Sequence, residues 1–403
     1  MGCNRIKILQ RNNNKWYILA LVVLTNVFVV AMPSMGLSVL SKEISQDLNL
    51  NLVQVGIVWG AGSLPSILTS LLGGVIGDMV GPKRVLVVTT LLAGLLGAAR
   101  GLAVDFASLT MIVLLLGIFL PFVTMNGIKI VSQWFPSHQL GLANGVFSMS
   151  MALGFLIGSL CSATLFSPLL GGWRHVLIGY GLLGAIFSIP WFFTRPISNG
   201  TQTRGTSLSI SKAVLHVAGL KNIWLLGLTL FGVGGAIQGL LGYLPLYLRG
   251  IGWQPAYADG ALSAFHTISL VCVMPIALWS DRLGSRKRLL LMAALMVALG
   301  TGILSLASGG LVWAAVLLAG FVRDGFMAIL QTMVIETEGI GSAYAGTAVG
   351  FVMAIGGIGN FLAPPSGNSL AVLWAGAPFA FWSALTILGM ACLSFTRRKV
   401  KAE

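Results

Sequence analysis

Apolar stretches long enough to cross a lipid bilayer recur along almost the entire chain. A membrane-spanning helix needs about 20 mostly apolar residues, and a soluble protein could not bury 56% hydrophobic residues beneath a surface supplied by 8% charged ones. The sequence therefore predicts an all-α membrane protein with twelve spans. These fall at 16–40, 53–77, 84–104, 107–131, 141–165 and 174–194, then at 223–248, 259–280, 288–308, 311–335, 341–365 and 374–395.

The longest polar stretch, from Arg195 to Asn222, divides the spans into two groups of six. We expect a six-helix bundle over residues 1–194, a cytoplasmic linker over 195–222 and a second six-helix bundle over 223–403. An internal repeat relates the two groups, because small and acidic residues recur at corresponding positions. The matching residues are Gly141, Gly145 and Gly154 with Gly346, Gly350 and Gly359, and Asp78 and Gly81 with Asp281 and Gly284.

The distribution of lysine and arginine predicts the orientation of the spans. Of the 24 basic residues, Lys42, Arg100, Arg174 and Arg249 fall on one side, Arg323 lies within a span, and the rest lie on the side of both termini. Cytoplasmic loops carry the excess of Lys and Arg, so we expect both termini in the cytoplasm. The net charge of +14 then reflects topology, and we expect no nucleic-acid partner.

The ends of spans 2 and 8 and the loops after them carry similar runs of glycine, acidic and basic residues. These are Gly74, Asp78, Gly81, Lys83 and Arg84 in the first copy, and Asp281, Arg282, Gly284, Arg286 and Lys287 in the second. Both resemble the signature that the major facilitator superfamily carries between spans 2 and 3, Gly-x-x-x-Asp-Arg-x-Gly-Arg-Arg/Lys. Met79 replaces the arginine in the first copy, and Pro82 precedes its lysine.

The resemblance implies two six-helix bundles around a central cavity lined by spans 1, 4, 7 and 10. It also implies that Asp78 and Asp281 form a latch that holds the cytoplasmic side shut while the outside is open. An aspartate at a helix end can face the positive end of a neighbouring helix dipole, and the flanking cations can hold it there. The alternative is an ordinary pair of basic loops whose cations only fix topology.

The charged pair Arg323–Asp324, near the middle of span 10, is the main candidate for a substrate site. Each charge costs about 2.5–3.5 kcal/mol at a helix centre, and such residues are usually functional. Adjacent helical residues project about 100° apart, so we expect each to find a partner other than its neighbour. Gly320 and Gly325 flank the pair and could bend the helix. The alternative is a buried charge pair that only stabilises the bundle.

Further polar side chains lie on the spans that the resemblance places around the cavity. Amides can donate and accept hydrogen bonds to a small solute, or join helices, and a lysine can bind an anion or extend to the interface. His266 in span 8 could handle a proton or simply pack. The sequence pattern in and just after span 4 resembles that of the cyanate- and organic-anion-type branches of the superfamily. It consists of Pro121, Lys129 and Phe135–Pro136. The remaining substrate-site candidates are Lys129, Asn26, Asn126, Gln238 and Gln331.

The sequence contains no Gly-x-x-x-x-Gly-Lys-Ser/Thr run and no catalytic or zinc-binding pattern, so we expect neither an enzyme nor a cofactor or metal. We expect a monomeric secondary transporter of the prokaryotic inner membrane that moves a small anion by symport or antiport. Asp324 would carry a coupling proton. The alternatives are proton-coupled drug or cation efflux, with Asp324 binding the cation, and a membrane sensor that does not transport.

Overall fold

A computed structural model describes residues 15–194, 210–283 and 286–396. This part of the chain contains helices and no β-strand, and the helices coincide with the twelve predicted spans, numbered here in chain order. Spans 1–6 are Lys15–Val39, Leu52–Ala61 with Ser63–Val80, Pro82–Ala99, Phe106–Trp134, Ser137–Cys161, and Trp173–Ile186 with Ser188–Phe193. Spans 7–12 are Lys221–Gly250, Pro255–Leu283, Arg286–Leu304, Gly310–Gly320 with Arg323–Ile335, Gly341–Ser369 and Ala377–Ser394.

The length and exterior of the helices fit a lipid bilayer. Within the described residues, eleven segments are long and apolar enough to cross a membrane. Span 8 has 29 residues, and at about 1.5 Å per residue this helix also exceeds the ~30 Å hydrocarbon layer. Large apolar side chains such as Leu68, Leu95, Val271 and Leu388 are exposed on the outside. The chain is therefore a multi-pass, all-α membrane protein, as the sequence predicts.

Glycines allow neighbouring spans to pack with their backbones in contact. A Cβ atom on Gly94 of span 3 would collide with the backbone at Ala185 of span 6, and one on Gly181 of span 6 would collide with Ala98 of span 3. Lipid gives helices little hydrophobic drive to associate, so close van der Waals packing through small residues takes its place. The glycine-rich composition thus builds the interior of each six-helix group.

The two groups also meet through glycines and prolines. A Cβ atom on Gly56 of span 2 would lie 2.7 Å from the backbone of Pro365 in span 11, and one on Gly60 would lie 2.7 Å from the carbonyl oxygen of Phe361. Spans 2 and 11 are therefore packed backbone to backbone. This contact holds one end of the two groups together.

Part of the predicted linker is helical. Residues 195–209 lie outside the described part of the chain, but Ile210–Ala218 form a short helix before span 7. Ala213 and Val217, four residues apart, are buried, which places both on one helical face. The His216 ring stacks on Tyr344 at 4.4 Å between centroids, so this helix is held against span 11.

Candidate functional site

Direct contacts close one end of the interface between the two groups of spans. This is the end opposite the chain termini, and we call it the outer end. The Trp59 indole donates a hydrogen bond to the carbonyl of Gln238 at 2.7 Å, and the Asn368 amide donates to the carbonyl of Leu52 at 2.8 Å. These bonds join spans 2 and 7, and spans 11 and 2. A solute in the centre of the bundle would have to break them to leave by the outer end.

A buried group of charged and polar side chains, the outer cluster, reinforces this closure. Arg249 at the end of span 7 binds both carboxylate oxygens of Asp259 in span 8, at 2.6 and 2.8 Å. Its other terminal nitrogen lies 3.1 Å from Glu43, after span 1. Thr164, in the π-helical stretch Ser162–Phe166 that continues span 5, donates to Asp259 at 2.6 Å. The outer cluster thus ties both groups of spans through one buried guanidinium.

Sequence reasoning missed the outer cluster and treated Arg249 only as a cation on the side opposite the termini. One available signal was Asp259, an acidic residue at the edge of an apolar span, ten positions after an arginine. A buried ion pair is costly unless both partners are present. Asp259 is fully buried and the Arg249 side chain is 3% exposed, so neither charge has water as an alternative partner.

Removing one partner of this pair should destabilise the protein strongly. We expect Arg249→Met to lower the free energy of unfolding by about 3–5 kcal/mol, because Asp259 would remain buried without its cation. The double variant Arg249→Met/Asp259→Leu should recover part of this loss in thermal unfolding. Arg286→Met is the control, because Arg286 and its partner Glu336 are 29% and 54% exposed and their pair should contribute at most about 1 kcal/mol. Equal effects of Arg249→Met and Arg286→Met would contradict the expectation.

Span 10 is broken where the sequence places its charged pair. The first segment, 10a, ends at Gly320, and the second, 10b, begins at Arg323. Val322 precedes 10b and supplies no side-chain cap, but the Ser269 hydroxyl of span 8 accepts a hydrogen bond from the Asp324 N–H at 3.2 Å. The first turn of a helix leaves N–H groups without helical partners and carries partial positive charge. The break therefore places a helix N-terminus and an arginine together inside the membrane.

Arg323 and Asp324 contact each other, which corrects the expectation that neighbouring residues would not pair. An Arg323 terminal nitrogen lies 3.3 Å from an Asp324 carboxylate oxygen. The contact is possible because the two residues are the first of segment 10b, with no helical turn before them to fix their directions. Ser269 of span 8 donates to the other Asp324 oxygen at 2.7 Å. The side chains are 18% and 31% exposed, so both lie at the edge of open space.

The Phe155 ring is shared by the Arg323 guanidinium and a buried histidine. The central carbon of the guanidinium lies 5.0 Å from the ring centre of Phe155 in span 5, within the range of a cation–π contact. The same ring lies 5.3 Å from the ring of His266 in span 8. His266 is fully buried, and within the described residues neither of its ring nitrogens has a hydrogen-bond partner. Arg323 and His266 thus converge on one aromatic side chain from the other group of spans.

The two asparagine candidates take part in helix packing. Asn26 begins a π-helical stretch, Asn26–Ala31, and its amide donates to Ser150 of span 5 at 2.9 Å. Asn126 is fully buried and donates to the carbonyl of Phe122 in its own helix at 2.9 Å. A Cβ atom on Gly77 of span 2 would collide with its oxygen. Asn126 therefore lies between spans 4 and 2.

The other three candidates differ from the charged pair in their exposure and their contacts. Gln331 is exposed, eight positions after Arg323 in segment 10b. Lys129 and Gln238 are partly buried, and the backbone carbonyl of Gln238 accepts the Trp59 bond. Of the seven substrate-site candidates, the structure brings Arg323 and Asp324 into direct contact.

The basic residues of the two signature copies occupy equivalent places. The Lys83 ammonium donates to the carbonyl of Phe192 at the end of span 6, at 2.9 Å. The Lys287 ammonium donates to the carbonyls of Ser394 and Thr396 at the end of span 12, each at 2.7 Å. A cation near the last carbonyls of a helix satisfies them and complements the negative dipole end. Each lysine thus joins the start of one span to the end of another.

The remaining signature residues are described in part. Gly81 has a φ of 95°, a conformation that glycine adopts without strain, and it makes the turn between spans 2 and 3. Arg84 is exposed, and Arg286 pairs with Glu336 at the end of span 10. The rest lie outside the described residues or side chains: Gly74, Asp78, Asp281, Arg282 and Gly284.

A large cavity lies away from the charged pair. Its volume is about 1190 Å³, and it opens among spans 2, 3, 4 and 6 next to Lys83 and Arg84. Its walls are mainly apolar, with Trp134 and Trp191 among them. An apolar groove within one group of spans can be filled by lipid, whereas intramembrane charge marks substrate paths. Arg323 therefore stays the candidate for the substrate site.

Comparisons with known proteins agree with this architecture. The family model described as "Major Facilitator Superfamily" matches residues 23–364. A "Probable nitrate/nitrite antiporter" of Thermus thermophilus is 26% identical over 392 residues, covering 89% of this chain and 85% of the relative. The "3-(3-hydroxy-phenyl)propionate transporter" of Escherichia coli (strain K12) is 27% identical over 344 residues, covering 83% and 81%.

Solved structures share the fold at low sequence identity. The nucleoside transporter NupG superposes with a TM-score of 0.79 at 13% identity, covering 94% of this chain and all of that chain (100%). An inward-facing, unoccupied bacterial homologue of the human lysosomal transporter Spinster superposes with a TM-score of 0.72 at 15% identity, covering 95% and 94%. At these identities the likeness concerns the arrangement of the helices.

Proposed function

The chain belongs to the major facilitator superfamily, and from that premise we propose that it carries a small organic or inorganic anion by alternating access. It is a secondary transporter and not an enzyme, because the family and the relatives that match it are transporters. The observation that carries the proposal is Arg323 in the first turn of segment 10b. It combines a fixed cation with a helix N-terminus inside the membrane.

The charge balance at this place favours an anion. The N-terminus of a broken membrane helix is a recurrent binding place for the anionic group of a substrate. Asp324 offsets part of the Arg323 charge, but its contact is long at 3.3 Å, and its other oxygen is engaged by Ser269. A guanidinium has five N–H donors in a planar fork, so several remain for a carboxylate or an inorganic oxyanion.

The names of the curated relatives support the same class of solute. Nitrate, nitrite and a phenylpropionate are anions at neutral pH, and these are the solutes named for the two relatives. At a sequence identity of 26–27%, these names support a negatively charged solute.

The closed outer end suggests how the solute moves. We propose that residues 1–194 and 223–403 rock against each other across the linker 195–222, as in other transporters built from repeats. In the state described, the Arg323 region would be reached from the side of the termini, which we place in the cytoplasm of a prokaryotic cell. The signature residues around Asp78 and Asp281 would hold that side shut in the opposite state.

The coupling group that we propose is Asp324. Its carboxylate touches both Arg323 and Ser269, so adding a proton would weaken its hold on the guanidinium and change the site's net charge. Lys129, Gln238 and Gln331 are proposed as further polar contacts along the path, and Asn26 and Asn126 as contacts between helices that shape it. We expect the monomer to be sufficient for transport, since each chain contains both six-helix groups.

Thermal unfolding of the detergent-purified protein tests the proposed solute class. We expect nitrate, acetate or 3-phenylpropionate to raise the melting temperature, because a ligand at 100 times its Kd stabilises the folded state by about 2.7 kcal/mol. Tetraphenylphosphonium should have no effect. Stabilisation by the cation alone, lost in Asp324→Asn, would instead indicate cation efflux. Anion binding without uptake into proteoliposomes would indicate a sensor.

A further inference from the structure

His266 is a buried polar residue with no role in the transport mechanism proposed above. It is fully buried in span 8, and within the described residues neither ring nitrogen has a hydrogen-bond partner. A buried polar group left unpaired costs about 1–3 kcal/mol, and such groups are few in folded proteins. An apolar residue would fill this place at lower cost, so the imidazole needs a reason beyond packing.

The surroundings of His266 point to an anionic partner. The centre of its ring lies 5.3 Å from that of Phe155 and 5.5 Å from that of Phe265, and a phenyl side chain has no nitrogen or oxygen atom that could accept its N–H. The Arg323 guanidinium acts on the His266 ring electrostatically and packs 5.0 Å from the centre of the same Phe155 ring. An imidazole has at least one N–H donor in any protonation state.

We propose that His266 donates a ring N–H to the transported anion while Arg323 holds the same anion. This rests on the proposed function and narrows it to a small oxyanion, either a carboxylate or an inorganic ion. Such an ion has one pair of oxygens for the guanidinium fork and a further acceptor lone pair for the imidazole. The two donors come from spans 8 and 10, so the anion would bridge them.

Phe155 would cover the bound anion from the other group of spans. It lies in span 5, whereas Arg323 and His266 lie in spans 10 and 8. Its ring is shared between the guanidinium and the imidazole, so it would close the site on the side of the first group of spans. When the two groups of spans rock apart, Phe155 leaves the donors and the anion is uncovered. The aromatic side chain is therefore expected to limit the size of the solute.

The test measures binding of nitrate, acetate and 3-phenylpropionate to the purified full-length protein by ligand-dependent thermal shift. His266→Leu should weaken the binding of the probe that stabilises the wild type most by about tenfold, the equivalent of one lost hydrogen bond worth about 1.4 kcal/mol. His266→Gln, which keeps an N–H donor, should retain more affinity. Thr267→Val is the matched control, because Thr267 is exposed on the same span and donates to the Ser263 carbonyl of its own helix.

Ligand-free stability separates a binding role from a packing role. If His266 is kept for the anion, His266→Leu should melt at or above the wild-type temperature without anion, because an unpaired buried ring has been removed. Unchanged probe affinity in His266→Leu would overturn the inference alone. A wild type that none of the three probes stabilises would overturn the proposed function and the inference together.

Discussion

Replacing Arg323 by glutamine should reduce anion uptake into proteoliposomes by roughly 100-fold. The substitution keeps most of the side-chain length but removes the charge and the guanidinium fork. Truncating one partner of a buried, charged hydrogen bond commonly costs 2–5 kcal/mol, and 1.4 kcal/mol corresponds to a factor of ten. The helix N-terminus of segment 10b would remain, so a weak preference for anions should persist at high concentration.

Arg323→Lys refines this result. Lysine keeps the positive charge but cannot present two parallel N–H groups, so we expect uptake between those of the wild type and the glutamine variant. Arg174→Gln serves as the control, because Arg174 pairs with Asp47 on the outer surface, far along the chain from segment 10b. Wild-type anion uptake by Arg323→Gln would contradict the proposed site. Improved cation efflux in that variant would favour the alternative function.

The sequence predicted the spans well because membrane insertion depends on a one-dimensional property. Each span must be about 20 residues long and apolar whatever its neighbours are, so no tertiary information was needed. Arg323 and Asp324 stood out for the same reason, since a charge within such a stretch is conspicuous. The flanking Gly320 and Gly325 suggested a bend, and the structure shows a break between Gly320 and Arg323.

What the sequence could not supply is the rotation of each helix and the pairing between helices. Asn126 lies on a span assigned to the cavity, yet it is packed against Gly77 of span 2, because the span assignment does not fix which way a side chain faces. The outer cluster joins Glu43, Thr164, Arg249 and Asp259 from four separate parts of the chain. The ten-residue spacing of Arg249 and Asp259 suggests their pair, but no local pattern indicates that Glu43 and Thr164 join it. His266 was visible in the sequence, but its lack of a partner appears only in three dimensions.

A disulfide across the outer end should stop transport almost completely. Ser159 of span 5 and Ser263 of span 8 are buried, and their hydroxyl oxygens lie 3.0 Å apart across the two groups of spans. With Cys3, Cys161, Cys272 and Cys392 replaced by serine, oxidation of the double variant Ser159→Cys/Ser263→Cys should join the spans. If the groups must separate here to release the solute outward, uptake should fall to background and return on reduction.

The control for this cross-link is a disulfide within one group of spans. A Cβ atom on Gly302 of span 9 would lie 3.6 Å from the Cβ of Ser383 in span 12, which suits a disulfide. Both spans belong to the second group and should move together. The double variant Gly302→Cys/Ser383→Cys should therefore take up the anion equally well when oxidised and when reduced.

Anion binding and transport should respond differently to the two cross-links. The Ser159–Ser263 cross-link would hold the protein in the state described, with Arg323 still reachable from the side of the termini, so the anion-dependent thermal shift should survive while uptake is lost. Full uptake by the cross-linked protein would mean that spans 5 and 8 do not separate there during the cycle. Loss of both binding and uptake would mean that the site is reached through the outer end, which would reverse the assignment of the closed side.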